Sequence, residues 1–229
     1  MKLLDVENKV PAVKMGGPSK YNNTFDTKAL SDIIILAGKL KAFDCFTWTH
    51  SINVANYAYT LANIFDLSSE ELNNVYIGAL LHDIGKTQIP EVLLKKTSKL
   101  TSSEWKIMKT HPRAGVDLLR HSNHLMKSKI SDIILHHHER FDGKGYPDSL
   151  AGDEIPLAAK IVTVADSFDA MTSKRHYRNP LDKKTAANQI LTNAGRQFDP
   201  QIALRFVEFI MTDEKLHSPP NQLKKLSGI

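Results

Sequence analysis

Three helix-opening signals punctuate the chain and limit what it can fold into. Ser68 is followed three residues on by Glu71, and Thr101 by Glu104. That is the spacing of a capping box, in which a hydroxyl and a carboxylate satisfy two orphan backbone N–H groups. Asp199-Pro200 sets a cap residue ahead of a proline at the first helical position. Apolar residues recur at three- and four-residue steps, as in Ile52, Ala55, Tyr59 and Ala62, and no stretch keeps the two-residue alternation of a half-buried strand. The expected fold class is all-α.

The pattern predicts helices over Thr27–Lys41 and His50–Phe65, and one opened by Ser68 that runs towards His82 and ends at Gly85. After a connector over 86–100, a helix from Thr101 through Trp105 and Met108 reaches His111-Pro112. There the proline either kinks it or opens the next segment, Arg113–Arg120. A helix over Leu125–Glu139, a glycine loop over 140–154, a helix from Pro156 through Ala170, and two more over 182–194 and 200–212 complete the core. Residues 1–44 read as an arm and a first helix, too short for a complete sensory domain, and 213–229 as a frayed tail. The expected unit is therefore 45–212, either standing alone or excised from a larger protein.

Composition excludes some classes. With 41% hydrophobic and 24% charged residues the chain is an ordinary globule, and its longest apolar run, Ile33–Ala37, is far too short for a membrane span. Nothing at the N-terminus resembles a signal peptide, and a single cysteine, Cys45, rules out an internal disulfide framework, so a cytoplasmic setting is expected. The net charge of +5 suits a phosphate-bearing partner, although the lysines are scattered.

Ten histidines are the compositional oddity. His136-His137-His138-Glu139 runs into Arg140-Phe141-Asp142-Gly143-Lys144-Gly145-Tyr146-Pro147. Successive helical positions point to different faces, so packing does not require three imidazoles in a row. The glycines and proline read as a turn with unusual backbone angles. The second stretch, His82-Asp83-Ile84-Gly85-Lys86, sets an imidazole beside a carboxylate at the end of an apolar helix. That donor set suits iron, manganese or zinc better than calcium or magnesium alone.

His82-Asp83 resembles the signature of the HD phosphohydrolase superfamily. His137-His138-Glu139-Arg140 with Asp142–Pro147 resembles its HD-GYP subfamily, whose members degrade cyclic dinucleotides such as cyclic di-GMP. The match runs over about residues 45–210 and includes Ile155-Pro156-Leu157, Val164–Ala170 and Arg175-His176-Tyr177-Arg178, where His176 replaces the usual proline. The resemblance implies an HD-domain helical bundle with a metal centre in its core, 45–212 being its catalytic domain.

It also implies the ligands. His50, His82, Asp83, His111, His137, His138 and Asp166 match the family's metal-binding positions, with Asp83 as the bridge between two ions. His136 falls outside the matched pair. Some members hold a third ion through a glutamate one helical turn before the first histidine; Phe46 stands there, so two divalent ions are expected. Iron or manganese come first, with zinc, nickel, magnesium or calcium able to substitute. The implied reaction is attack on phosphorus by a hydroxide activated between the metals, opening cyclic di-GMP to linear pGpG. Lys86 would face a non-bridging phosphate oxygen, and Arg175 and Arg178 a second phosphate or a guanine edge. Tyr146 would stack or hydrogen-bond on the nucleotide, with Gly143 and Gly145 allowing close approach.

Two rival readings stand beside this one: a phosphodiesterase for cyclic GMP-AMP, and a sensor or protein-interaction domain that binds without cleaving. No nucleic-acid polymer or membrane is expected as partner, and a homodimer or a signalling-protein partner is compatible with the family. Taken alone, a histidine such as His50 is more often a core or surface residue than a ligand. Glu139 and Arg140 fit either an orienting role or a surface ion pair. Trp48, Trp105 and Tyr59 read as core, and His121, His124 and His217 as surface.

Overall fold

The computed structural model describes residues 26–174, 179–212 and 221–227. Among these residues there are α-helices and short 3-10 turns, two isolated β-bridges (Asp142 with Ala151, Ala194 with Phe198) and no strand. The all-α expectation holds.

Helix α1 (Thr27–Phe43) ends at Asp44, whose carboxylate accepts from the Thr47 N–H at 2.7 Å and so opens α2 (Cys45–Ala62). This cap starts α2 five residues before the expected His50. Both capping boxes form. Glu71 N–H donates to Ser68 Oγ while Ser68 N–H donates to the Glu71 carboxylate, starting α3 (Ser69–Leu81). Thr101 and Glu104 do the same, after the short α4 (Glu91–Leu94), to start α5 (Ser102–Met108). Pro112 opens a segment rather than kinking one, sitting in the first turn of α6 (His111–Leu118), where a missing N–H costs nothing.

The expected helix over Leu125–Glu139 is two. Ser128 ends α7 (Asn123–Lys127) in an extended conformation and its hydroxyl caps α8 (Lys129–His136). Pro156 is the cap residue of α9 (Leu157–Thr172) rather than its first helical residue. Helices α10 (Lys183–Thr192) and α11 (Pro200–Met211) open on Asp182 and Asp199. Where a frayed tail was expected, α12 (Asn221–Ser227) lies against α1 and α3 and buries Leu223.

At the centre, α2 packs between α3 and α9, and α8 closes the far side against α3 and α9. Helix α3 is buried all round from Asn74 to Leu81. Tyr76, Ile77, Leu80 and Leu81 are wholly enclosed, each such side chain contributing roughly 1.5–3 kcal/mol on burial. This helix, which buries the largest share of its residues among the helices described, ends at His82. Helix α1 joins the same core through Ala29, Ile33, Leu36, Ala37 and Leu40.

Candidate metal centre

A close approach of two backbones brings the first ligand candidates together. After α3 the chain turns through a 3-10 segment, Ile84–Gln88, onto which α6 packs. A Cβ on Gly85 would stand 1.9 Å from the His111 carbonyl oxygen and 2.5 Å from the Gly115 nitrogen. Only glycine lets α6 bring His111 up to His82 and Asp83.

Three of the histidines are oriented in one way. The Nδ1–H of His82 donates to the Ala79 carbonyl at 2.6 Å, that of His111 to Met108 at 2.9 Å, and that of His137 to Ile134 at 2.8 Å. Each acceptor lies three residues back, in the last turn of a helix. With Nδ1 protonated, each Nε2 presents a lone pair to the interior. Those lone pairs converge: His111 Nε2 is 3.3 Å from His137 Nε2 and 3.4 Å from Asp83 Oδ1, and His82 Nε2 is 3.3 Å from Asp83 Oδ2. His82 Nε2 and Asp83 Oδ1 are buried with no hydrogen-bond partner among the described residues. Buried electron pairs facing one another call for a cation, so the donor set fits a metal.

The ligand atoms fall into two groups that share one residue. Asp83, His111, His137 and His138 place their atoms within 4.8 Å of one another, and so do His50, His82 and Asp83. Burial opposes charge on Asp83, but the Lys86 ammonium at 2.6 Å outweighs it and holds the carboxyl well below its usual range. Burial keeps His111 and His137 below the ordinary imidazole value and brings His138 to about 3, so all three are neutral, ligand-competent bases at pH 7.

His50 lies between two carboxylates. Its Nε2 is 3.0 Å from Asp166 Oδ1, and its Nδ1–H donates to Asp169 Oδ2 at 2.6 Å. Burial lowers its pKa, but bonds to Asp166 and Asp169 more than compensate and raise it to about 9. Asp166, despite burial, is held far below its ordinary value by the His50 bond and charge. Asp169, 2% exposed, also accepts from Asn53 and Ser173. The sequence reading assigned Asp169 no role; the signal available was its place one turn after Asp166 on the same helix. It is the carboxylate that fixes the His50 ring, as outer partners of metal-bound histidines do.

The glycine loop closes over this cluster. A Cβ on Gly145 would meet the Glu139 Cα at 2.4 Å and the Arg140 nitrogen at 2.5 Å, so its missing side chain lets the loop fold back on the end of α8. Gly143 has φ +71°. Tyr146, ahead of a cis peptide to Pro147, lies 4.8 Å from the His138 ring, and burial with the charges of Asp83 and Asp166 keeps its hydroxyl protonated. Glu139 is buried and accepts the Asp148 N–H at 2.7 Å; Arg140 grips both oxygens of Asp142. Asp148 also takes Arg113 and His136, so the first histidine of the triplet anchors the loop. Phe46 is exposed and offers no donor atom. Arg175 and Arg178 lie outside the described residues, as does His217. Trp48 and Tyr59 are buried as expected, but Trp105, read as core, is 45% exposed.

The model of the HD domain family matches residues 29–202. A 3'3'-cGAMP-specific phosphodiesterase of Vibrio cholerae is 35% identical over 173 residues, which are 76% of this chain and 33% of that protein. The cyclic di-GMP phosphodiesterase response regulator RpfG of Xanthomonas campestris is 43% identical over 65% of this chain and 39% of its own. A cyclic di-GMP phosphodiesterase of Pseudomonas aeruginosa is 32% identical over 91% of this chain and 53% of its own. The chain thus spans between a third and about half of these relatives. A solved HDG"Y"P protein of Bdellovibrio bacteriovorus superposes with a TM-score of 0.59 at 17% identity, covering 80% of this chain and 63% of that one. The HD domain of the L. monocytogenes phosphodiesterase PgpH, in complex with cyclic-di-AMP, gives 0.56 at 18% identity over 77% of this chain and 94% of that one. These two likenesses speak for the fold.

Proposed function

Because the chain belongs to the HD domain family, we propose that it is a metal-dependent phosphodiesterase of the HD-GYP type that opens cyclic di-GMP to linear pGpG. The observation that carries this reading is the position of Asp83, one buried carboxylate common to both ligand groups. On this reading two divalent ions, iron or manganese, are held, one by His50, His82, Asp83 and Asp166 and the other by Asp83, His111, His137 and His138. When bound, such a pair supplies Lewis acidity towards a phosphate and a water acidic enough to lose its proton near neutral pH.

The chain's own residues do the rest. The carbonyls of Ala79, Met108 and Ile134 hold three histidines in one tautomer, and Asp169 takes the Nδ1–H of His50, so that a bound cation would displace only its Nε2 proton. Lys86 keeps its ammonium beside Asp83, 28% exposed, where a phosphate oxygen of the substrate would meet it. Tyr146 lies against the His138 and His111 rings and would shield that side of the cluster. Arg175 and Arg178 are proposed for the second phosphate or a guanine edge. The catalytic unit is taken as 45–212, with α1 packed onto it.

The test is turnover by protein loaded anaerobically with ferrous or manganous ion, given cyclic di-GMP or cyclic GMP-AMP and followed by chromatography. The expected product is pGpG, with the higher kcat/KM on cyclic di-GMP. A higher value on cyclic GMP-AMP would move the assignment to the second reading, which the name of the Vibrio cholerae relative favours. Binding with no hydrolysis would overturn both. Elemental analysis should find two ions per chain; three would contradict the inference from Phe46.

A further inference from the structure

On the reading that the site takes a cyclic dinucleotide, we propose that Trp105 and Lys109 form an outer subsite, holding the purine and the phosphate that are not being cut. The metal cluster continues towards solvent as a ladder of rings. Tyr146 lies 4.8 Å from His138 and 6.5 Å from His111; the Lys109 ammonium sits 5.1 Å over Tyr146 and 6.0 Å over Trp105. Trp105 and Lys109 are four residues apart and share one face at the end of α5. This helix buries none of its residues, so the exposed indole does not serve the core.

The charge is the second observation. Glu104 is taken by Lys96, and Asp148 by Arg113 and His136, while Lys109 makes no ion pair among the described residues. An ammonium fixed above the ring that roofs a cation site adds positive charge to positive charge. That placement becomes favourable when an anion enters between them. A cyclic dinucleotide carries two phosphodiesters and two bases in one ring. With one phosphate at the metal cluster, the other needs a cation, and its neighbouring base a flat apolar face; Lys109 and Trp105 offer these side by side. Stacking of this kind tolerates either purine.

The experiment uses the metal-loaded protein with cyclic di-GMP and with methyl 4-nitrophenyl phosphate, which has neither purine nor second phosphate. Trp105→Ala should lower the preference for cyclic di-GMP over the small diester by about tenfold, the scale of one base–aromatic stack, through KM rather than kcat. Trp105→Phe should recover most of it. Lys109→Met should raise KM for cyclic di-GMP and flatten its dependence on ionic strength, whereas Lys109→Arg should not. Binding is read without turnover by titrating pGpG against tryptophan emission: quenching should survive Trp48→Phe and vanish in Trp105→Phe. Wild-type protein that cleaves no cyclic dinucleotide overturns the functional reading itself. Wild-type turnover with KM, preference and quenching unchanged in these variants, or with only a lower melting temperature, overturns the subsite alone.

Discussion

His82 and Trp105 stand at opposite ends of one run of rings, through His137, His138, Tyr146 and the stem of Lys109, and they are held by different means. His82 is 1% exposed, closes the most buried helix of the fold, and has its tautomer fixed by a backbone carbonyl. Trp105 is 45% exposed on a seven-residue helix that has no fully buried residue. The inner end is rigid because packing and backbone geometry determine it together. The outer end has no such core beneath it: Lys109 leans on two rings, and the loop that carries Tyr146 is held by Arg140 on Asp142, Asp148 on Arg113 and backbone bonds such as Tyr146 N–H to the His138 carbonyl at 3.2 Å. A site built this way can keep its chemistry fixed while its rim is free to vary.

Four substitutions test that division, from the largest effect to the smallest. Asp83→Ala removes the residue common to both ligand groups. Metal content and turnover should fall together, by more than about a hundredfold, beyond the usual cost of losing an outer partner. A metal-loaded, active variant by elemental analysis would refute the bridging role.

Asp169→Asn keeps the shape but weakens the acceptor that orients His50 at 2.6 Å. Metal affinity, read by competition with a chelator, should drop about 10–100-fold. Unchanged affinity would mean that Asp169 serves only Asn53 and Ser173.

Gly145→Ala drives a methyl into the Glu139–Arg140 backbone. The loop should shift at a cost of about 1–3 kcal/mol in stability. KM should rise while bound metal stays the same; loss of metal here would erase the proposed separation of core and rim. Thr101→Ala deletes one half of a capping box at the start of α5 and should cost about 1 kcal/mol by thermal unfolding, with metal content untouched.

The helices were legible where local chemistry decides them. Ser68, Thr101 and Asp199 cap what their spacing promised because a cap is satisfied within one turn. The sequence reading failed where a residue had two competing roles. Ser128 sits inside an apolar run that reads as one helix, yet it caps a new one. Trp105 has helical spacing, but periodicity does not reveal which face the fold covers.

The candidate ligands were legible as a set through the resemblance to a family, and the structure brings His50, His82, Asp83, His111, His137, His138 and Asp166 close together. Asp169 and Asp148 were not, because their partners are distant. His50 lies 119 positions from Asp169, and Arg113 lies 35 from Asp148. No local pattern in the sequence encodes such pairings.

The backbone carbonyls that orient His82, His111 and His137 have a further consequence. The last turn of any helix leaves acceptors without an intrahelical donor, and here imidazole N–H groups meet that need at the ends of α3, α5 and α8. These rings therefore finish their helices whether or not they also grip an ion. A metal held there could leave and another enter without undoing the secondary structure around it, and the identity of the ion would then be a matter of supply as much as of folding.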